Sequence, residues 1–290
     1  MSALLAESTV DKWVESSGGR LAVYLSGSGE NAVYLLHGGP GVPDYLAPVA
    51  KLLEPTHSVV RYDQRGTGQS AADFIDFDLD SQVEDLEAVR TALGHKRISL
   101  FGHSWGGTLA QLYALRYPDH VDSMFLSNSG IGLGQDWKVM ERAVMAHNRA
   151  RGGFWSFMLL GLYQVCSMLP VVSDSGARKL MSMVWSNYFE PPSTAPPPEP
   201  EWLMGVRSAP LFRTRGAAVA SRPGLLSPDG LPAELTVLVL FGENDIYGTT
   251  TQVLFDRFPN ARHVMLENSG HVPWLQTPEA FGAELLAFFR

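Results

Sequence analysis

Few local patterns restrict a chain more than a serine held between glycines where an apolar strand runs into a helix. This chain has one at Gly102-His103-Ser104-Trp105-Gly106. Residues 98–101 form a short apolar run of strand length, and 105–117 follow a helical pattern that stops at Pro118. A strand that turns directly into a helix needs a tight, strained corner. Flanking glycines remove the side chains that would obstruct it, and the serine hydroxyl is lifted clear of the backbone. The first turn of the helix leaves N–H groups unpaired where negative charge would develop. These are the requirements of a serine nucleophile.

A hydroxyl attacks well only when a base takes its proton, and the base in turn needs an orienting acid. On a strand–helix sheet of this kind the partners follow in the order serine, acid, histidine, each beyond the C-terminal end of a strand. Of eight histidines, His271 meets that demand, in Asn268-Ser269-Gly270-His271 just after the run Arg262–Leu266. His263 falls inside that strand and is expected to point into a packed face. His95, His120 and His147 belong to helix ends or the middle of the chain, and His103 is expected to be a packed neighbour of Ser104. The strand over 236–241 leads into Gly242-Glu243-Asn244-Asp245. Asp245, deeper in the loop, is the expected acid, with Glu243 the alternative.

The tetrahedral intermediate of acyl transfer also needs backbone donors for its oxyanion. The N–H of Trp105, next after the serine, is one. The other is expected from His37-Gly38-Gly39-Pro40-Gly41, which follows an early strand and lets the backbone come close to a substrate, with Gly39 as the donor.

Strand and helix signals alternate around these motifs. Residues 21–26 and Ala32–Leu36 are apolar runs separated by Gly27-Ser28-Gly29-Glu30-Asn31, a hairpin-like turn. Ser58–Tyr62 and 121–126 are further strands. Leu79–Leu93 has helical spacing and ends at Gly94; 250–258 and 278–289 are also helical, the latter with Thr277 placed to cap it and Pro278 in its first turn. From about 132 to 231 the alternation gives way to helical sequence rich in Met, Trp and Phe, with 191–200 as a Pro-rich extended loop. The expected class is α/β: a mostly parallel sheet with helices on both faces, built from 1–131 and 232–290, and an inserted helical cap over 132–231. Trp137, Trp155, Phe157, Met158, Met181, Met183 and Trp185 are expected either to line an apolar pocket or to pack the cap.

Composition removes several alternatives. A net charge of −8, with no basic run longer than Lys96-Arg97, excludes a nucleic-acid partner. No metal-ligand spacing such as H-E-x-x-H occurs, and Gly130-Ile131-Gly132-Leu133-Gly134 lacks the context of a dinucleotide site, so neither metal nor cofactor is implied. The single cysteine, Cys166, permits no intrachain disulfide, and residues 1–10 lack the basic and apolar regions of a signal peptide. Both fit a cytoplasmic protein. Residues 154–172 are uncharged over nearly spanning length, but Gln164 and Pro170 make a buried or pocket-lining helix the expectation and membrane contact the alternative. Asp63-Gln64-Arg65-Gly66-Thr67-Gly68-Gln69-Ser70 has glycines without the G-K-[ST] of a phosphate loop. It is expected to brace the floor of the site, with Arg65 in a buried ion pair.

Three motifs together, His37 to Gly41, Asp63 to Ser70 and Ser104-Trp105-Gly106, resemble the proline iminopeptidase branch of the α/β-hydrolases. The resemblance covers roughly 20–130 and 235–290. It implies a cap-on-sheet architecture, a Ser104–Asp245–His271 triad, and Gly39 and Trp105 as oxyanion donors. His103 stands where the iminopeptidases usually carry glycine. Asp136, Glu141, Asp174, Glu190, Glu199 and Glu201 are the carboxylates available in the cap to hold a substrate's α-amine. The expected activity is hydrolysis of a small ester or amide through an acyl-enzyme, on a small molecule or short peptide, in aminopeptidase fashion. The alternatives are an esterase or lactonase, an acyltransferase that excludes water, and a non-catalytic small-molecule receptor.

Overall fold

Every residue of the strand Ala32–Leu36 (β3) is buried, with Ala32, Tyr34 and Leu36 in one hydrophobic cluster and Val33 and Leu35 in another. A strand apolar on both faces belongs inside a sheet covered by helices on each side. The computed structural model, which describes residues 9–71, 74–167, 173–222 and 224–290, has that architecture.

The strands are Lys12–Ser16 (β1), Gly19–Ser26 (β2), β3, Ser58–Tyr62 (β4), Ile98–His103 (β5), Val121–Ser127 (β6), Thr236–Gly242 (β7) and Arg262–Leu266 (β8). They form one sheet in the order β1-β2-β4-β3-β5-β6-β7-β8, parallel from β4 to β8, with β2 antiparallel to both its neighbours. The helices are Ala47–Leu53 (α1), Leu79–Leu93 (α2), Trp105–Arg116 (α3), Gln135–Ser167 (α4), Ser173–Val184 (α5), Pro200–Met204 (α6), Ser208–Ala220 (α7), Gln252–Arg257 (α8), Pro273–Gln276 (α9) and Pro278–Phe288 (α10). α2, α3 and α8 cover one face of the sheet; α1, α9 and α10 cover the other.

Three local expectations are corrected. The loop 27–31 is not a hairpin: β2 pairs with β1 and β4, and the loop carries the chain past β4 to β3. Its glycines serve close packing, since a Cβ on Gly27 would lie 2.0 Å from the His57 carbonyl oxygen and one on Gly29 2.1 Å from that of Thr56. His263 is not buried by the face it points to. β8 is the edge strand, and His263 is exposed, its ring stacked on Phe255 and its Nε2–H donating to the Phe258 carbonyl at 2.7 Å. Thr277 stands at the start of α10 but its side chain makes no capping bond; its hydroxyl lies instead within reach of Ser269 Oγ at 3.3 Å and the Pro273 carbonyl at 3.4 Å.

The floor loop behaves as its composition implies. Arg65 and Asp85 form a buried two-pronged ion pair, Nε to Oδ2 at 2.7 Å and Nη2 to Oδ1 at 2.8 Å. Asp63 accepts from the Asp44 and Gln69 amides and the Tyr24 hydroxyl, each at 2.8 Å. Between β6 and β7 the chain is helical, and it is tied to the loops at the C-terminal end of the sheet. Arg207 N–H donates to Gly41 O at 2.8 Å, Trp202 Nε1–H to Pro43 O at 3.2 Å, and His271 N–H to Tyr188 O at 2.8 Å. Among the described residues no helix is long and apolar enough to cross a membrane. Part of 154–172 lies outside the described residues, as do the side chains of Trp155 and Phe157 and all of residues 1–8.

Candidate active site

Ser104 sits at the corner between β5 and α3 with φ 54° and ψ −121°, a left-handed conformation uncommon for a residue with a side chain. The neighbouring glycines make the corner possible. A Cβ on Gly106 would lie 2.0 Å from the Leu36 carbonyl oxygen, and one on Gly102 2.6 Å from that of Gly106. The chain can therefore reverse only by pressing bare backbone against β3, and the strain is placed on the one residue whose side chain is presented.

Asp245 and His271, from the loops after β7 and β8, are both buried and meet at 2.7 Å, His271 Nδ1–H donating to Asp245 Oδ2. That bond sets the tautomer and leaves the Nε2 lone pair as the basic site. Glu243 is exposed and accepts instead from the Asn268 amide at 3.3 Å. Asn128, just past β6, escaped the sequence reasoning. Its Nδ2 donates to Asp245 Oδ2 at 2.5 Å and to the Gly270 carbonyl at 3.0 Å. The Tyr247 amide adds a bond to Asp245 Oδ1 at 2.8 Å. The carboxylate is thus held by donors from three loops, and Asn128 tolerates its φ of 46° as few other residues do. The Ser104 hydroxyl pairs with Tyr247 Oη at 3.1 Å. Burial first, and then the nearby Asp245, push the Tyr247 phenol well above its ordinary pKa, so it stays protonated.

His103 is a packed neighbour with a defined task. The Gly38 amide donates to Tyr45 Oη at 2.8 Å and His103 Nε2–H donates to the His271 carbonyl at 2.7 Å, so in the neutral ring Nδ1 accepts the Tyr45 proton at 2.5 Å. The neutral Nε2–H tautomer satisfies all three bonds. Burial, followed by the adjacent His271 ring, holds the His103 pKa well below the usual histidine value. One hydrogen-bonded line therefore joins the glycine loop to the backbone of His271.

With the Gly38 amide committed to Tyr45, the next amide, that of Gly39, is without a protein acceptor among the described residues. Trp105 is the first residue of α3, where an amide has no partner within the helix. Gly39 and Ser104 line both a cavity of about 870 Å³ beneath α4, α5 and α7 and a smaller one of about 50 Å³ that includes His271. Of the residues expected at an apolar pocket, Trp137 and Met181 line the large cavity and Trp185 the small one. Met158 is exposed, and Met183 is half-buried outside both walls.

A strained serine at a strand–helix corner and a histidine–carboxylate pair at the same end of a mostly parallel sheet define a fold family, and residues 31–278 match its model, the alpha/beta hydrolase fold. The chain belongs to that family. A proline iminopeptidase from Saccharolobus solfataricus is 39% identical over 124 residues, 41% of this chain and 40% of that protein. A cis-3-alkyl-4-alkyloxetan-2-one decarboxylase from Shewanella oneidensis is 31% identical over 122 residues, 41% of this chain and 38% of that protein. The match therefore spans about two-fifths of the length of these curated relatives. Among solved structures, a hydrolase from Pseudomonas aeruginosa superposes with a TM-score of 0.72 at 21% identity, covering 96% of this chain and 97% of the other.

Proposed function

We propose that this protein is a serine hydrolase that cleaves a small ester or amide through an acyl-enzyme. Ser104 is the nucleophile, His271 the base, Asp245 the orienting acid, and the Gly39 and Trp105 amides hold the oxyanion. The observation that carries the proposal is the buried His271–Asp245 bond of 2.7 Å beside a serine at φ 54°. The pair leaves Nε2 basic, and the corner leaves Oγ presented.

In this mechanism the Ser104 hydroxyl rotates away from Tyr247 towards His271 Nε2, gives up its proton there, and attacks the acyl carbon. The carbonyl oxygen becomes an oxyanion held by the two amides, each such donor being worth about 3–4 kcal/mol of barrier. The imidazolium, steadied by Asp245, returns the proton to the leaving group as the bond to the acyl carbon breaks. Water then repeats the sequence on the acyl-enzyme and releases the acid.

Similarity to the proline iminopeptidases supports an aminopeptidase form of this reaction on short peptides. The apolar walls of the large cavity support an esterase or lactonase form on a small molecule. Residues 132–231 act as a cap that selects between them, on a core of 1–131 and 232–290. The same reading places the enzyme in the cytoplasm, consistent with its single cysteine.

The test is a panel of proline arylamide, other aminoacyl arylamides and simple aryl esters, run with a fluorophosphonate label on wild type and Ser104→Ala. Wild type is expected to be labelled and to turn over at least one substrate. Ser104→Ala is expected to lose both while remaining folded. A folded wild-type protein that takes no label would overturn the proposal.

A further inference from the structure

The 870 Å³ cavity beside Ser104 has four charged side chains in its wall: Lys138, Glu141 and Arg142 on α4, and Arg215 on α7. Glu141 is consumed by Arg215, which grips both of its oxygens, Nη2 to Oε2 at 2.8 Å and Nε to Oε1. Two positive charges remain uncompensated. Lys138 and Arg142 are one helical turn apart, so they project from the same side of α4, and both are exposed. Neither makes an ion pair among the described residues; the one bond of the Arg142 guanidinium, Nε to the Lys138 carbonyl at 3.2 Å, lays its stem along the helix. A protein of net charge −8 thus has a cationic lip on the cavity that reaches its serine. The remaining wall is mainly apolar, including Trp137, Met140, Leu211, Phe212 and Ile246.

Holding a free ammonium in such a cavity requires a carboxylate that is not already neutralised, because an exposed or buried amine gains nothing from a site of its own sign. The carboxylates of the helical segment do not offer one. Asp136 is paired with Arg257 at 3.0 Å, Asp174 with Arg207 at 3.2 Å and with Ser208, and Glu190 with Arg151. Glu199 and Glu201 stand outside the cavity wall.

We propose that the substrate is an apolar acyl compound bearing an anionic group, of carboxylate type, which docks at Lys138 and Arg142 while the acyl carbon lies at Ser104. A free amine is disfavoured. This rests on the serine hydrolase reading and specifies its substrate class.

The test uses three aryl esters of equal chain length, a plain alkanoate, its ω-carboxy counterpart and its ω-amino counterpart, at two chain lengths. The fluorophosphonate label is run alongside. Two exposed charge contacts give an expected preference in kcat/KM for carboxylate over ammonium of about tenfold, shrinking as salt is raised. In Lys138→Gln/Arg142→Gln the ratio is expected to fall to about one. Equal rates on all three esters, a preference for the ammonium ester, or a preference that survives in the double variant overturns this inference and leaves the hydrolase reading standing. So does labelling of Ser104 without turnover of the carboxylate ester. Absence of labelling overturns both.

Discussion

Tyr45→Phe removes one oxygen atom and leaves the ring, and with it the stacking on Trp274 at 6.1 Å and the edge contact with Trp202. No cavity of consequence is created, so the cost is one of polar groups alone. The lost hydroxyl strands two buried partners, the Gly38 amide and His103 Nδ1. An unsatisfied buried group costs about 1–3 kcal/mol, so stranding two should destabilise the fold by about 2–6 kcal/mol, a large share of the ~5–15 kcal/mol that holds a typical domain together. Urea unfolding followed by two probes measures it, with an unchanged m-value as the check that the denatured state is unaltered. A double-mutant cycle with His103→Gln isolates the Tyr45–His103 bond and is expected to show coupling of about 1 kcal/mol or more. A single-variant cost below about 0.5 kcal/mol, with additive double-variant behaviour, would refute the hydrogen-bonded line from Gly38 to His271.

The same line gives a pH dependence. His103 resists protonation in the fold, whereas in the unfolded chain it takes a proton near its usual pKa of about 6.5. The unfolded state therefore binds more protons below that pH. The contribution is fully present above about 6.5 and is lost as pH falls towards the depressed folded value, at up to about 1.4 kcal/mol per pH unit. Urea midpoints between about pH 7 and pH 5 should fall more steeply for wild type than for His103→Gln; parallel slopes would contradict the assignment. A separate prediction concerns Asn128→Gly, which keeps the positive φ and removes the donor to Asp245 together with the bonds to the Gly270 carbonyl and the Ser127 hydroxyl. Loss of a hydrogen bond to a charged group, about 1.5–3 kcal/mol, should lower kcat about tenfold or more with little change in KM. A KM effect alone would make Asn128 a structural residue.

The strand and helix rhythm was legible because each element carries its own signal. β3, β4 and β8 fall at the ends read from the sequence, and α2 ends where Gly94 takes φ 74°. The positions of Ser104, Asp245 and His271, each past the C-terminal end of a strand, were legible for a different reason: the acyl transfer we propose asks for those residue types in that chain order. What could not be read was adjacency across the sheet. The placement of β4 between β2 and β3 turned an apparent hairpin into a crossing. With β6 lying between β5 and β7, the residue just after it sits between the serine and the acid, and that residue is Asn128. Local sequence around Ser127-Asn128-Ser129 has nothing to distinguish it until the strand order is known.

The helical segment shows the same limit at greater cost to function. Its carboxylates are equivalent in sequence, and any of them is available to an amine. Pairing decides otherwise, and it is long-range: Glu141 meets Arg215 across 74 positions, and Asp136 meets Arg257 across 121. Once those arginines have taken their partners, the sign of the cavity is set by Lys138 and Arg142, two residues with no motif to mark them. On the proposed reading, motifs near the sheet therefore specify which bond-breaking chemistry the protein supports. On the same reading the substrate is specified by the charges left over after helices packed from distant parts of the chain have neutralised one another, and a relative that shares the motifs need not share that remainder.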